Sequence, residues 1–334
     1  MFDLISIGDS THDTFVEIDE ASVLCDIKPN KCLLCLSWAD KIPAKKVTQV
    51  PGVGNSANAA VGAARLGLKT AIYTHIGDDL VGESILKVFQ KEKVNTRYVK
   101  IERGRTSNYS VVLNYGAERT IIVKHEKWRY NLPKKLKTKW IYYSSLGPDH
   151  SKVHRQIKDL VDKENINLVF QPGTYQLREG RDNLYEILCS SYLILLNKEE
   201  AAILLDEKPV SVKSTNREVK MWVKHLARGL YRLGPHIVVI TDGPDGAYAY
   251  DGSDTWYIRA YPLKAKERTG AGDSFSIGFT AALIRGKSVS EALLWGNANA
   301  TSVVQYIGAQ KGLLTEAGIR DMIKKYPKIK PRKI

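Results

Sequence analysis

The chain has 334 residues, of which 43% are hydrophobic and 26% are charged. This composition excludes an intrinsically disordered protein, because disordered chains have too few apolar residues to form a buried core. The 50 Lys and Arg residues outnumber the 36 Asp and Glu residues and give a formal net charge of +14, which favours polyanionic partners.

The excess of positive charge is scattered along the chain. Its densest runs, at about 134–139 and 324–333, are typical of solvated faces or of a frayed end, and we expect a basic tail over residues 326–334. No nucleic-acid-binding motif accompanies them, so we do not expect a nucleic-acid partner and keep a non-enzymatic nucleic-acid-binding protein as the alternative from another class. No apolar run is long enough to cross a bilayer and no basic segment precedes the first strand, which predicts a cytoplasmic protein without a membrane partner.

In chain order, apolar runs of strand length alternate with amphipathic segments of helix length. This alternation predicts one α/β domain over residues 1–334, a doubly wound, mostly parallel sheet of Rossmann-like type with helices on both faces. Ligands of such sheets bind beyond the carboxyl ends of the strands, so the residues after each strand are the candidate site residues. The runs are FDLISIG, TAIYTHIG, WIYYSSLG, NLVFQPG, YLILLN and HIVVITDG.

Two segments, at about 11–50 and 97–125, break this alternation. The first carries short alternating pieces such as TFVEID, and the second contains SNYSVVLNY and RTIIVKHE, which predict a hairpin with its turn at Gly116 and Ala117. We interpret the two segments as a small β-sheet lid inserted in the α/β body, which covers a site and excludes water from it.

Three cysteines lie together in the first of these segments. Cys25, Cys32 and Cys35 contain one C-x-x-C, while Cys189 stands alone in an apolar segment. Four cysteines do not form a disulfide scaffold in a chain of this length. A zinc site is the alternative, but no second C-x-x-C or His pair completes it, so we expect ordinary reduced thiols.

The most informative stretch is RTGAGDSF at 268–275, which precedes the helical pattern FSIGFTAALIRG. Small residues before a helix let backbone N–H groups approach an anion, and the helix dipole adds positive potential there. The same helix start favours an ionised Asp273, which could then accept a proton from a hydroxyl group. A glycine turn with Asp as a helix cap is the structural alternative.

Turn residues also follow or precede other predicted elements. PGVGNSANAA at 51–60 precedes a helical pattern, while NKEE at 197–200 and TDGPDG at 241–246 each follow a strand. Their structural alternatives are a glycine turn and a capping box between Asn197 and Glu200. A dinucleotide-dependent oxidoreductase is disfavoured, because no G-x-G-x-x-G follows the first strand.

Together these motifs resemble, in order and spacing, the signatures of the ribokinase-like (PfkB) family of carbohydrate kinases from residue 2 to about residue 325. ERTGAGDSF resembles D-T-x-G-A-G-D-x-F, and the run at 51–60 resembles G-G-x-x-x-N with Val53 in place of the second glycine. The resemblance implies ATP-dependent phosphorylation of a hydroxyl, such as a hydroxymethyl group, of a sugar. An adenosine-type nucleoside kinase is the alternative, and the acceptor stays open among ribose, fructose, a keto-deoxy sugar acid and adenosine.

The resemblance also implies residue roles on the acceptor side. Asp273 is the catalytic base, and the amides of Gly270, Ala271 and Gly272 stabilise the phosphoryl group. The candidate acceptor contacts are Asp13, Gly54 and Asn58 by resemblance, and Asn108 and Arg119 by their position on the predicted hairpin.

On the nucleotide side the resemblance implies ATP and Mg²⁺. Glu200 organises Mg²⁺ through water, and small residues from 296 to 310 form the adenine wall, although close helix packing explains them equally well. Glu267 stands where many relatives use an Asp beside a monovalent cation, so K⁺ is a further candidate cofactor. A homodimer formed through the lid is also expected. The candidate nucleotide contacts are Asn197, Glu200, Thr241, Gly243, Gly246 and Asn299.

Overall fold

The computed structural model of the protein describes residues 1–25, 32–116, 118–210 and 215–334. The strands within these ranges are β1 (Phe2–Ile7), β2 (Thr11–Ile18), β3 (Ser22–Cys25), β4 (Cys32–Cys35), β5 (Ala44–Val53), β6 (Thr70–Gly77), β7 (Asn95–Glu102), β8 (Tyr109–Tyr115), β9 (Glu118–Lys124), β10 (Thr138–Tyr143), β11 (Asn167–Phe170), β12 (Ser191–Asn197), β13 (Ile237–Thr241), β14 (Ala247–Tyr250), β15 (Thr255–Ile258) and β16 (Arg332–Lys333). The helices are α1 (Asn55–Arg65), α2 (Leu80–Lys91), α3 (Ser151–Glu164), α4 (Thr174–Arg178), α5 (Gly180–Cys189), α6 (Lys198–Leu204), α7 (Asn216–Tyr231), α8 (Ala271–Ile284), α9 (Val289–Val303) and α10 (Glu316–Lys325). None of the helices in these ranges is long and apolar enough to cross a membrane.

The large sheet has ten strands in the order β16-β15-β14-β13-β12-β11-β10-β1-β6-β7. Neighbouring strands are parallel from β7 to β13, and β14, β15 and β16 add to one edge in antiparallel pairs. β1 lies inside the sheet, and the chain winds outward from it in both directions. The apolar runs predicted to be core strands are β1, β6, β10, β11, β12 and β13, so this prediction is confirmed.

Both faces of the large sheet are covered. Successive side chains of a strand point to opposite faces, and neighbours in β1 and β10 belong to different cores. Leu4 and Tyr142 lie in one apolar core, whereas Ile5 and Tyr143 lie in the other. Strands buried on both faces have continuous apolar sequences, which explains the runs that predicted them. The doubly wound α/β fold class is therefore confirmed.

The small sheet has the order β5-β2-β8-β9 and comes from the two segments predicted to form a lid. The pairing of β8 with β9 confirms the predicted hairpin, although Ala117 of its turn lies outside the described residues. The boundary at about 97 was wrong, because β7 pairs with β6 and is the edge strand of the large sheet. Only the part of the second segment from Tyr109 onward belongs to the small sheet.

Strands β3 and β4 form a separate antiparallel hairpin within the first lid segment. Its facing residues Cys25 and Cys32 are joined by a disulfide, so the expectation of reduced thiols was wrong for these two. Directly opposed residues of an antiparallel pair are close enough for this bond, which sequence spacing alone did not reveal. Cys35 and Cys189 are free thiols.

The two basic runs differ in their structure. Lys134, Lys135, Lys137 and Lys139 are exposed, as expected of a solvated face. The C-terminal run is not a frayed end, because β16 pairs with β15 and Ile329 is only 3% exposed. The backbone bonds and apolar contacts of this segment hold it against the edge of the sheet.

Helix α8 is buried along most of its length and packs between α1 and α9. A Cβ at Gly278 would lie 2.8 Å from the carbonyl oxygen of Trp295, and a Cβ at Gly296 would lie 2.9 Å from that of Phe275. No side chain fits at either position, so the two helices approach more closely than larger residues allow. Gly296 therefore serves helix packing, and the packing fixes the position of the first turn of α8.

Candidate active site

Asp273 lies in the first turn of α8, where two side chains from distant parts of the chain hold it. Asn58 Nδ2 of α1 donates to Asp273 Oδ2 at 2.8 Å, and Gln171 Nε2, just after β11, donates to Asp273 Oδ1 at 3.1 Å. The aspartate is only 9% exposed. Each carboxylate oxygen keeps lone-pair capacity beyond its one donor, which a general base requires.

Burial raises the pKa of Asp273 above its usual range, and the hydrogen bonds from Asn58 and Gln171 offset part of the rise. We expected the helix start to dominate and to favour the ionised form, but desolvation is the larger effect. A carboxylate with a raised pKa binds a proton more readily once it is ionised. The environment therefore strengthens Asp273 as a base.

Gln310 fixes the orientation of the Asn58 amide. Gln310 Nε2 donates to Asn58 Oδ1 at 3.1 Å and to the carbonyl of Gly52 at 2.7 Å. Because Asn58 Oδ1 faces this donor, its Nδ2 group is directed at Asp273. Asn58 therefore positions the carboxylate, a role that sequence analysis did not assign to it.

Gly270 is the N-cap of α8 and has a φ of 76°, in the left-handed region that favours glycine. A Cβ there would lie 2.3 Å from Ala309 Cβ, so only glycine fits. A Cβ at Gly272 would meet nothing within 4 Å, which leaves open space at the helix start. The backbone of this turn is thus both fixed and accessible.

The helix start has free backbone donors. The N–H of Ser274 bonds to the carbonyl of Gly270 at 2.9 Å, and the N–H of Ala271 bonds to a carbonyl of the preceding turn at 3.2 Å. The amides of Gly272 and Asp273 belong to the first turn, whose N–H groups have no intrahelical acceptor. The anion site predicted at 270–272 therefore rests mainly on the amides of Gly272 and Asp273.

A cleft of about 670 Å³ opens beside this helix start. Its volume suits a ligand of nucleotide size. Among the predicted nucleotide contacts, those that line it are Asn197, Thr241, Gly243 and Gly246. Lining residues that sequence analysis did not single out include Lys198, Asp242, Arg268, Asn297 and Thr301. Lys198 and Asp242 form an ion pair inside the cleft.

Asn299 does not line the cleft, so its prediction as a nucleotide contact was wrong. Its side chain is completely buried in α9, where Nδ2 donates to the carbonyl of Ser274 at 2.7 Å. Its Oδ1 accepts from the N–H of Leu314 at 2.9 Å. Asn299 instead ties α9 to the first turns of α8.

Glu200 completes the capping box predicted with Asn197, and it does not line the cleft directly. Glu200 Oε2 accepts from the N–H of Asn197, and Asn197 Oδ1 accepts from the N–H of Glu200, both at 2.8 Å. Burial raises the pKa of Glu200, the Asn197 bond lowers it, and the charge of Asp273 raises it further. A divalent cation nearby would offset the repulsion that Asp273 exerts on an ionised Glu200, and hard carboxylate oxygens are donors that fit Mg²⁺.

Asp13 lies on β2 and has a buried oxygen, Oδ1, without a hydrogen-bond partner among the described residues. Burial raises the pKa of Asp13 to about 6, a bond from Ser110 lowers it, and the charge of Glu267 raises it. Buried polar atoms are normally paired, so an unpaired one marks a position for a ligand group. This geometry supports Asp13 as an acceptor contact.

Gly54 precedes α1 close to the first strand. Its φ is 107°, and a Cβ there would lie 2.9 Å from the carbonyl oxygen of Asp9. Only glycine is compatible with this conformation and this distance. The backbone of Gly54 therefore leaves no side chain between the start of α1 and the end of β1.

The structure does not support Asn108 as an acceptor contact. It is 1% exposed, its Nδ2 donates to the carbonyl of Ser10 at 3.2 Å, and its Oδ1 accepts from the N–H of Glu126 at 2.8 Å. Both ends of the amide thus hold backbone segments beside the hairpin, and we withdraw it from the acceptor set.

Arg119 on β9 is paired with a residue beside the helix start. Arg119 Nη1 lies 3.3 Å from Glu267 Oε1, which also accepts from the N–H of Thr269 at 2.6 Å. Glu267 Oε2 accepts from the N–H of Gly308 at 3.4 Å. The guanidinium of Arg119 supplies the positive charge that K⁺ would otherwise bring to Glu267, so this ion pair disfavours Glu267 as a K⁺ ligand.

Sequence analysis missed two polar residues that follow strands. Gln171 follows β11 and contacts Asp273, while Asp9 follows β1 and accepts from Tyr130 Oη at 2.9 Å and from the N–H of Gly147 at 2.8 Å. Burial raises the pKa of Asp9 to about 7, and these two bonds offset part of the rise. Their strand-end positions were the available signal.

The ribokinase-like fold and a carboxylate at a helix start beside a nucleotide-sized cleft define a class of small-molecule kinases. The profile described as "pfkB family carbohydrate kinase" matches residues 18–316, and the chain belongs to this family. Members of the family are enzymes that phosphorylate sugars or nucleosides, and ribokinase-family kinases use ATP. The chain is therefore a kinase of this class.

Individual relatives agree with this assignment. The chain is 26% identical over 282 residues to the ribokinase of Bacillus subtilis, which covers 82% of this chain and 88% of the relative. The nucleoside kinase of Methanocaldococcus jannaschii has a TM-score of 0.75 and 18% identity, and covers 97% of this chain and 99% of its own. The Arabidopsis thaliana ribokinase complexed with ribose and ATP has a TM-score of 0.76 and 20% identity, with coverage of 97% and 99%.

Proposed function

We propose that this kinase transfers the γ-phosphoryl group of ATP to a hydroxymethyl group of a sugar or nucleoside, with Asp273 as the catalytic base. The observation that carries the proposal is the position of Asp273: it stands in the first turn of α8 beside the cleft, held by Asn58 and Gln171. The free amides at the same turn support the phosphoryl site.

The transfer needs one base and one anion site. The Asp273 carboxylate takes the proton of the acceptor hydroxyl as its oxygen forms the new P–O bond and the bond from the γ-phosphorus to the leaving ADP oxygen breaks. The amides of Gly272 and Asp273 donate to the phosphoryl oxygens as their charge is redistributed. Excluding water from this turn, as a lid of the small sheet would do, prevents hydrolysis of ATP.

Glu200 is the residue proposed to hold Mg²⁺, through water rather than directly. Its Oε2 is used in the capping box, which leaves the second carboxylate oxygen for this role. When bound, Mg²⁺ neutralises phosphate charge. Lys198, paired with Asp242 in the cleft, adds a cation on the nucleotide side.

On the acceptor side we propose Asp13 as the main contact. Its unpaired, buried Oδ1 is an acceptor for a substrate hydroxyl, which a sugar or a ribosyl group supplies. The relatives named above act on sugars or nucleosides by their names, so both classes belong in one substrate screen.

The test is an ATP-consumption screen of the purified protein over pentoses, hexoses, sugar acids and nucleosides. With the accepted substrate, Asp273→Asn should lose about 10²-fold or more of kcat while keeping its folded structure by circular dichroism. The control is Asp182→Asn, which changes an aspartate with a 97% exposed side chain and should keep normal turnover. Near-normal turnover of Asp273→Asn would refute the role of this residue.

A further inference from the structure

Three potential metal ligands lie together outside the cleft. His150 is the N-cap of α3, His154 is in the first turns of the same helix, and Glu179 follows α4. One ligand atom from each residue can be chosen so that all three lie within 4.8 Å of one another. Residues four apart on a helix share one face, which explains how the two imidazoles converge.

Both histidines are buried and have a free ring nitrogen. His150 is 2% exposed and His154 is 8% exposed, and the Nε2 atom of each has no hydrogen-bond partner among the described residues. His150 Nε2 lies 3.1 Å from Glu179 Oε1, but the orientation is not that of a hydrogen bond. Buried polar atoms are rarely left unpaired, so the pair of free nitrogens needs an explanation.

The surroundings of His150 fix which nitrogen carries its proton. His150 Nδ1 lies 2.8 Å from the carbonyl oxygen of Gly147, so the ring donates there. In the neutral ring, Nε2 then carries a lone pair and lies 3.1 Å from the carboxylate oxygen Oε1 of Glu179. Two acceptors this close need either a proton or a metal ion between them, and a backbone carbonyl that orients a histidine ring is the usual support of a metal ligand.

An ion pair between protonated His150 and Glu179 is the simpler alternative. It explains His150 but leaves His154 Nε2 buried and unpaired. The ion pair therefore accounts for only one of the two free ring nitrogens. Neutral imidazole is the form that binds transition metals.

We propose that His150, His154 and Glu179 form a binding site for a divalent transition-metal ion, with Zn²⁺ as the best fit. Two imidazole nitrogens and one carboxylate oxygen are a donor set that Zn²⁺ accepts, and water completes four-coordination. Glu179 has a side chain that is 32% exposed, which gives an ion a route from solvent.

A metal ion at this site would stabilise the segment that contains Gly147, between β10 and α3, which contacts Asp9 after β1. Gly147 accepts from His150 through its carbonyl and donates to Asp9 Oδ2 through its N–H at 2.8 Å. Asp9 follows β1, next to the segment that leads to Asp13 on β2. The ion would therefore connect α3 and α4 to Asp9, which lies between β1 and the strand that carries Asp13.

The experiment uses the full chain, stripped with a chelator and desalted, without nucleotide. Co²⁺ is titrated and followed by visible absorbance, and Zn²⁺ by isothermal titration calorimetry and by thermal melting. We expect one equivalent to bind, with the absorbance of four-coordinate Co²⁺ and a rise in Tm. His154→Gln and Glu179→Gln should each weaken binding by about 10-fold or more and remove the rise in Tm.

His225→Gln is the matched control, because His225 Nε2 also faces a carboxylate, Glu207, at 2.9 Å, but on the exposed surface. It should bind like the wild type. Cys35→Ser excludes a thiolate ligand, and it should also bind normally. If His154→Gln does not fold, Glu179→Gln decides, since that side chain is partly exposed. No stoichiometric binding by the wild type, or unchanged affinity in Glu179→Gln, overturns the proposal.

Discussion

Arg119 on β9 of the small sheet forms an ion pair with Glu267 beside the start of α8, with 3.3 Å between Nη1 and Oε1. The two residues are 148 positions apart, so the pair joins the lid segment directly to the turn that carries the proposed anion site. Glu267 is 9% exposed on its side chain, which limits screening of the pair by solvent.

Because of this ion pair, we expect the activity of the kinase to be independent of K⁺. The guanidinium supplies positive charge where the carboxylate would otherwise attract a monovalent cation, so kcat should be equal in potassium and tetramethylammonium chloride at the same ionic strength. Arg119→Ala should create a potassium dependence, whereas Arg181→Ala, which changes a half-exposed arginine elsewhere, should not. Activation of the wild type by potassium would contradict this explanation.

Gln171 should set the pH dependence of turnover through Asp273. Its hydrogen bond lowers the pKa of Asp273, so Gln171→Leu should raise that pKa. Because the ionised carboxylate is the active form, the acidic limb of the kcat profile should move upward by about one pH unit. Gln305→Leu loses a bond of the same 3.1 Å length to a backbone carbonyl and should leave the profile in place. An acidic limb that stays in place in Gln171→Leu would show that Gln171 does not control the pKa of Asp273.

Asp9 should make the protein less stable as the pH rises. Burial raises its pKa from 3.8 to about 7, so the folded state holds a proton that the unfolded chain releases at lower pH. The stabilising contribution is complete below about pH 3.8 and is lost as the pH rises through about 7. Asp9→Asn should flatten the fall in unfolding free energy over this interval, as measured by urea titration at several pH values. The same slope in wild type and variant would exclude Asp9 as its cause.

We propose that the exposed apolar side chains of the lid segments form a homodimer contact. Those on β9 and on or after β3 and β4 include Ile122 at 58%, Leu24 at 62%, Leu33 at 64% and Trp38 at 98% exposure. Light scattering after gel filtration should give the mass of a dimer, and Ile122→Lys should give a monomer. Ile203→Lys changes an isoleucine on α6 with the same 58% exposure and should remain a dimer. A wild-type protein that is monomeric at micromolar concentration would contradict the proposed homodimer.

The sequence predicted the elements of the fold more completely than the contacts of the site. A continuous apolar run predicts a strand such as β12, and small residues before a helical pattern predict a helix start such as that of α8. Both signals are local in the sequence, and the structure has the two elements at the predicted positions. The partners of Asp273 depend on the packing of α1 and β11, with separations of 215 and 102 residues, which no local pattern encodes. The same limit explains Asn299, whose small-residue surroundings suggested a nucleotide wall although its amide bonds inside the helix pair.

The close contact of α8 with α9 at Gly278 and Gly296 has a mechanical consequence. Two helices packed backbone to backbone cannot slide past each other without a clash, so α8 and α9 form a rigid wall of the cleft. A closing motion around the ligand would therefore have to come from the small sheet, which the ion pair between Arg119 and Glu267 joins to the start of α8.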